Sequence, residues 1–165
     1  IVHRLDQATS GLVLMARHID AQRRLSHAFA ERQVHKRYQA VVWGLLAAQE
    51  GAWNEINLPI AADWERRPLR IIDQTHGKPS LTRWRLLGHH AATGTSRIEL
   101  EPVTGRTHQL RVHMAAVGHP ILGDALYAPA EVQALAPRLL LHASHLAFAH
   151  PTTGERTAFD WQLAL

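Results

Sequence analysis

Apolar residues in this chain fall into short blocks set off by turn residues, and the spacing within each block predicts its structure. Gly11 to Ala16 (GLVLMA) follows a Thr-Ser-Gly turn and predicts a buried strand. Residues 19–33 place Ala21, Leu25, Ala28 and Phe29 at helical spacing, with Asp20 in the first turn where the helix dipole favours an acid. Arg37 to Trp43 (RYQAVVW) is β-branched and aromatic, stops at Gly44, and predicts a strand. Residues 47–79 are irregular, with Trp53, Pro59, Trp64, Pro68 and Pro79 interleaved with Arg66, Arg67 and Arg70, and predict a hairpin and loop.

Two further strands, 81–87 and 96–101, are expected across the turn HHAATGT. Thr104-Gly105 is another turn, and Thr107 is the expected N-cap of a helix over 108–117, which Gly118 and Pro120 would end. A short helix over 131–135 and closing strands over 139–149 and 156–161, around a turn at 151–154, complete the chain. Strands outnumber helices and few segments alternate as βαβ. The expected class is α+β, with a mixed, largely antiparallel central sheet flanked by helices. The 165 residues fit one domain, 1–165, large enough to bury a core. The chain opens on Ile1, already inside what reads as a domain, so an N-terminally incomplete fold is expected.

The formal charge is +4 with 18 Lys and Arg residues, of which only Lys36 and Lys78 are lysines. Guanidinium groups pair with phosphate and stack on bases, so this bias suits nucleic acid; an arginine-for-lysine preference in coding would produce the same composition. Cysteine is absent, which removes disulfides and thiolate metal sites. No apolar run reaches the roughly 20 residues of a membrane span. A cytoplasmic protein is expected.

Three segments could carry chemistry. Asp6, in His3-Arg4-Leu5-Asp6, precedes a turn, and a neighbouring arginine would favour its carboxylate form. An aspartate making a local turn hydrogen bond is the commoner outcome for such a segment. Thr104 to His113 (TGRTHQLRVH) feeds a glycine turn into a helix N-terminus, whose free N–H groups suit a phosphate or a paired carboxylate; a solvated amphipathic helix fits the pattern equally. Lys36-Arg37-Tyr38 sets a tyrosine beside two cations, able to stack on a base and offer a hydroxyl, although a strand tyrosine more often packs in the core. The pairs His108/His113 and His142/His145 lack a nearby acid in a metal-site pattern, so no metal is expected.

Together these segments resemble the RluA-type RNA pseudouridine synthases. HRLDQATSGLVLMA is similar to the family's catalytic-aspartate motif, and KRYQAVVWG to its tyrosine motif. PVTGRTHQLRVHMAAVGHPILGDALY and RLLLHASHLAFAHP are similar to its C-terminal motifs, and all four occur in family order. The resemblance implies an enzyme that isomerises uridine to pseudouridine in structured RNA without a cofactor. It implies Asp6 as the catalytic carboxylate, and Tyr38 as the tyrosine that stacks on the uracil and helps remove a proton. Arg106 is implied as the arginine paired with the aspartate. Arg4 is implied to contact RNA or fill the place of a flipped base. Leu139 and Leu141 match apolar positions that wall the uracil pocket, with the choice between them open. Thr107, His108 and Arg111 complete the implied substrate-binding set, although Arg111 and His113 fit a supporting role as well.

LPIAADWERRPLRIID, GKPS and YAPAEVQALAPRLLLHA resemble the dual-specificity branch, which implies tRNA anticodon stem-loops and a hairpin of 23S rRNA as partners. A monomer without a protein or membrane partner is expected. Two other readings compete: a non-catalytic RNA-binding domain derived from a synthase, and, further behind, a metal-dependent nuclease using the histidines.

Overall fold

The computed structural model describes residues 1–162. In chain order the elements are β1 (Ser10–Gly11), α1 (Ile19–Ala30), β2 (His35–Trp43), β3 (Trp53–Asn57), β4 (Ile60–Ala62), β5 (Arg70–Ile72), β6 (Leu81–His90), β7 (Thr95–Pro102), α2 (Gln109–Ala116), α3 (Ala130–Gln133), β8 (Leu141–Ala149) and β9 (Arg156–Asp160). The main sheet runs β1-β8-β2-β7-β6-β3, with β9 also on β8, while β4 and β5 form a separate two-stranded sheet. Every pair is antiparallel except β1 with β8, as expected for the α+β class.

Alternation along the strands divides the sheet into two unlike faces. Tyr38, Leu100 and Ala143 share one row, and Ala40, Ile98 and Leu141 the next. This face buries the main core, onto which α2 packs Leu110 and Met114. The opposite face carries a charged lattice. Arg85 meets Glu99 at 2.7 Å, Arg83 meets Glu101 at 3.1 Å, and Arg37 reaches both acids. The Arg83 and Arg85 guanidiniums lie 4.7 and 4.8 Å from the Trp53 ring centroid. A second core under α1 joins Leu25, Val34, Leu146 and Phe148.

Four expectations need correction. The segment 11–16 is not a buried strand: only Ser10–Gly11 pairs, and Val13 and Met15 are exposed. The outer edge of β8 is shared, with β1 at His142–Ala143 and β9 from His145 onward, so a longer β1 would collide with β9. Leu12, Leu14 and Ala16 still pack inward. Helix α1 ends at Ala30, not near 33. Arg32 takes φ 55°, its N–H bonds Phe29 O, and Gln33 N–H bonds Ala28 O at 2.8 Å, closing a left-handed C-terminal turn without glycine. The irregular stretch 47–79 holds the β4–β5 hairpin but also β3, an edge strand of the main sheet. The N-cap of α2 is His108, in the left-handed region at φ 56°, not Thr107.

Gly11 is where the aspartate-bearing segment meets the sheet. Its φ is +119°, and a Cβ there would lie 2.3 Å from Ala143 O and 2.5 Å from Ala143 N. Gly11→Ala should therefore cost about 2 kcal/mol or more of folding stability. A denaturant midpoint matching the parent protein would contradict this packing.

Candidate active site

The segment ahead of β1 is tied down at several points. Thr9 N–H donates to Asp6 O at 2.9 Å, Ser10 Oγ bonds His142 Nδ1 at 2.9 Å, and Leu12 N–H donates to Ala143 O at 3.0 Å. His3 stacks on Phe29 at 4.5 Å, and its Nε2 accepts from Leu14 N–H at 2.8 Å. Burial, with the Lys36 charge second, pushes His3 down to about 4, so the ring is neutral at ordinary pH and its proton sits on Nδ1. These contacts hold Asp6 half-buried, in one pocket with Lys36 and Tyr38 from the first half of β2.

Tyr38 stands beside a bulge in β8, where Ser144 is the extra residue, between Leu100 of β7 and Ala143 of β8. Burial, with the Asp6 carboxylate second, pushes its phenol up to about 12. Lys36, two residues earlier on the same face, is also partly buried, which pulls its ammonium below the ordinary lysine range. A Cβ on Gly105 would lie 3.6 Å from Lys36 Nζ, so the Thr104–Arg106 loop closes over this lysine.

That loop is shaped by one buried amide. Gln109 Oε1 accepts from Thr104 Oγ1 at 2.7 Å and from Arg106 N–H at 3.0 Å. Gln109 Nε2 donates to Leu81 O at 2.9 Å and Thr82 Oγ1 at 3.0 Å. The first N–H of α2, that of Gln109, donates to Arg106 O at 3.1 Å, so the loop backbone supplies a partner where the helix has no side-chain cap.

Below it, Arg111 forms a bidentate pair with Asp124, at 3.0 and 2.6 Å, and lies over the Tyr127 ring. The Tyr127 hydroxyl accepts from Arg70 N–H at 3.0 Å and engages His108 Nδ1. Burial first, then Arg111 and Arg70, hold His108 below its usual pKa, against the opposing pull of Asp6.

The result is a pocket of about 110 Å³ lined by Arg4, Asp6, Lys36, Tyr38, Arg106, His108 and Leu141, among others. It is well below the roughly 300–1,000 Å³ of ordinary ligand clefts. That size suits one small planar ring. An anion, a phenol and an apolar wall around such a ring can stack it, exclude water and act on one of its atoms.

A family model described as RNA pseudouridylate synthase matches residues 1–116. The chain belongs to this family. Over 158 residues it is 52% identical to the dual-specificity RNA pseudouridine synthase RluA of Pasteurella multocida, covering 96% of this chain and 70% of that protein. The Escherichia coli K12 protein of the same name is 48% identical over the same shares. The solved structure of human RNA pseudouridylate synthase domain containing 1 superimposes with a TM-score of 0.84 at 35% identity, over 98% of this chain and 67% of that one. The chain is thus an RNA pseudouridine synthase, an enzyme that isomerises uridine.

Within this synthase, Asp6, Tyr38 and Arg106, separated along the sequence, line one pocket. The implied Asp6–Arg106 pairing is not present, however: among the described residues Asp6 forms no ion pair, and Arg106 donates from Nε and Nη2 to Pro79 O at 3.2 and 3.1 Å. Of the two leucines, Leu141 lines the pocket and Leu139 belongs to the core. Thr107 faces the adjoining groove, not the pocket. Arg111 is buried on Asp124, which fits support and not RNA contact. His113 is fully buried between Thr82 Oγ1 and Leu58 O.

Lys36, which lines the pocket, and His3, which tethers the segment, were among the residues missing from the expected set. Lys36 had a signal in the sequence, because it shares a strand face with Tyr38. His3 had none, since its partner Leu14 is fixed only by the fold. By NMR, the His3 imidazole should titrate near pH 4 instead of near 6.5. Its low value means stability is complete above about 6.5 and declines as pH falls toward 4. A midpoint at 6.5 would mean the ring does not accept the Leu14 N–H.

Proposed function

We propose that Asp6 is the carboxylate with which this synthase converts uridine to pseudouridine, and that its substrates are tRNA anticodon stem-loops and a hairpin of large-subunit rRNA. The observation that carries the first part is the shared pocket of Asp6, Tyr38 and Leu141. The second rests on relatives whose names describe dual-specificity RNA synthases. A monomer acting in the cytoplasm is the accompanying proposal; among the described residues no helix is long and apolar enough to cross a membrane.

In the reaction the C1′–N1 bond breaks, the freed uracil turns, and C1′ bonds to C5. The C5 proton leaves to solvent and N1 regains one, so atoms balance without an oxidant, a reductant or an energy source. Asp6 can serve as nucleophile toward the ring or the sugar, or can take a sugar proton. The uridine must first leave its stack, because the pocket admits little more than a ring. Tyr38 and Leu141 then hold the ring on two sides. A phenol held near 12 is a donor and a stacking surface, which weighs against Tyr38 as the base of the resting site. Arg4, exposed at the rim, is placed to fill the gap left in the RNA. Arg106 can swing from a single backbone carbonyl to Asp6 or to phosphate when RNA arrives.

Asp6→Asn should reduce tritium release from 5-tritiated uridine RNA to background while leaving RNA affinity within about threefold. Turnover at the parent rate would remove Asp6 from the chemistry, and a parent protein that binds RNA without releasing tritium would point to a non-catalytic RNA-binding domain. Tyr38→Phe keeps the stacking face and removes only the hydroxyl, with which the side chain could donate one hydrogen bond to the bound uracil, so kcat should fall about tenfold with binding retained. An unchanged kcat would show that the hydroxyl takes no part.

A further inference from the structure

Beside the uridine pocket lies a larger groove of about 1050 Å³, between the β4–β5 hairpin and the Gly105–Thr107 loop. Gly105 and Arg106 line both spaces, so the two adjoin across one loop. Trp64 stands on the groove wall with 71% of its surface exposed, and the Arg67 guanidinium lies 5.3 Å from its ring centroid.

The loop that carries this indole is rigidly built. Asp63, itself buried, accepts from Arg66 N–H at 3.2 Å and pairs with Arg66 Nε at 2.7 Å. Asp63 N–H donates to Leu69 O, and Arg67 Nε donates to Trp64 O at 3.1 Å. The hairpin is also coupled to the pocket, through Arg70 N–H, the Tyr127 hydroxyl and His108. An indole left in water on so constrained a loop has a surface to offer and little ordering entropy to lose.

The groove's charge selects the occupant. Arg70 and Lys78 line it and form no ion pair among the described residues, and Arg70 Nε is buried without a partner. The one acid in the lining, Asp73, is engaged by the N–H groups of Thr75 and His76. Cations around an exposed aromatic face are the combination that holds single-stranded nucleic acid.

We propose that this groove seats a nucleotide flanking the target uridine, its base stacked on Trp64 and its phosphate between Arg70 and Lys78. The proposal rests on the RNA substrate argued above and adds a second contact point that selects the loop sequence or shape. Stacking on one aromatic ring contributes about tenfold or more to affinity.

The test compares the parent chain with Trp64→Ala and Trp64→Phe, using an anticodon stem-loop RNA labelled with 5-tritiated uridine and the same RNA made abasic at each loop position in turn. Trp64→Ala should raise KM about tenfold, with the change confined to KM, and Trp64→Phe should recover most of it. One abasic position should raise the parent's KM to the Trp64→Ala value and add nothing further in that variant. Equal KM for parent and Trp64→Ala, or additive losses at every abasic position, would overturn the proposal while the parent's turnover upholds the synthase reading. A parent chain that releases no tritium would overturn both.

Discussion

The two-residue parallel contact between Ser10–Gly11 and β8 is the constraint from which the site follows. It brings a main chain against Ala143 so closely that only glycine fits, and it does so one turn after Asp6. The same stretch of β8 pairs on its other edge with Tyr38. Asp6 and Tyr38 are therefore positioned by neighbouring links to one strand, and their separation depends on hydrogen bonds more than on flexible side chains. A carboxylate and a ring held this way need little reorganisation to act on a bound base.

A second tier of polar contacts sets the opposite wall. Arg111 and Asp124, both almost fully buried, neutralise each other under Tyr127, and Tyr127 connects His108 to the hairpin backbone. Removing either member would leave a charge without a partner, which is far costlier than the pair's net contribution. Gln109 plays the matching role above, using both ends of its amide to hold the Thr104–Arg106 loop against β6. A glutamate has no donors for Leu81 O and Thr82 Oγ1, so the isostere cannot replace it.

Long, strongly patterned elements were legible in the sequence, and competition between elements was not. Helix α1 is announced by its spacing and by Asp20, but its end is not, because Arg32 adopts the conformation that glycine usually signals. The strand expected at 11–16 has the right residues, yet β9 holds the edge it would need. Edge strand β3 buries only Ile56 fully, so its alternation is too faint to stand out. Asp6, Tyr38 and Arg106 were singled out by family resemblance. Their convergence is geometric, and so is the finding that Arg106 rests on Pro79 O. Arginine content alone left nucleic-acid binding and a coding preference equally open, and Arg37, Arg83, Arg85 and Arg111 are engaged within the protein.

That engagement gives the molecule an electrical front and back. On the rear of the sheet, Glu99 and Glu101 answer the guanidiniums stacked around Trp53, so little field escapes toward solvent there. Around the pocket mouth Arg4, Lys36, Arg70, Lys78 and Arg106 outnumber the two lining acids, Asp6 and Asp73, and form no ion pair among the described residues. A polyanion diffusing nearby would therefore be turned toward one side before any contact is made, and dissolved salt should slow that capture more than it loosens the fold.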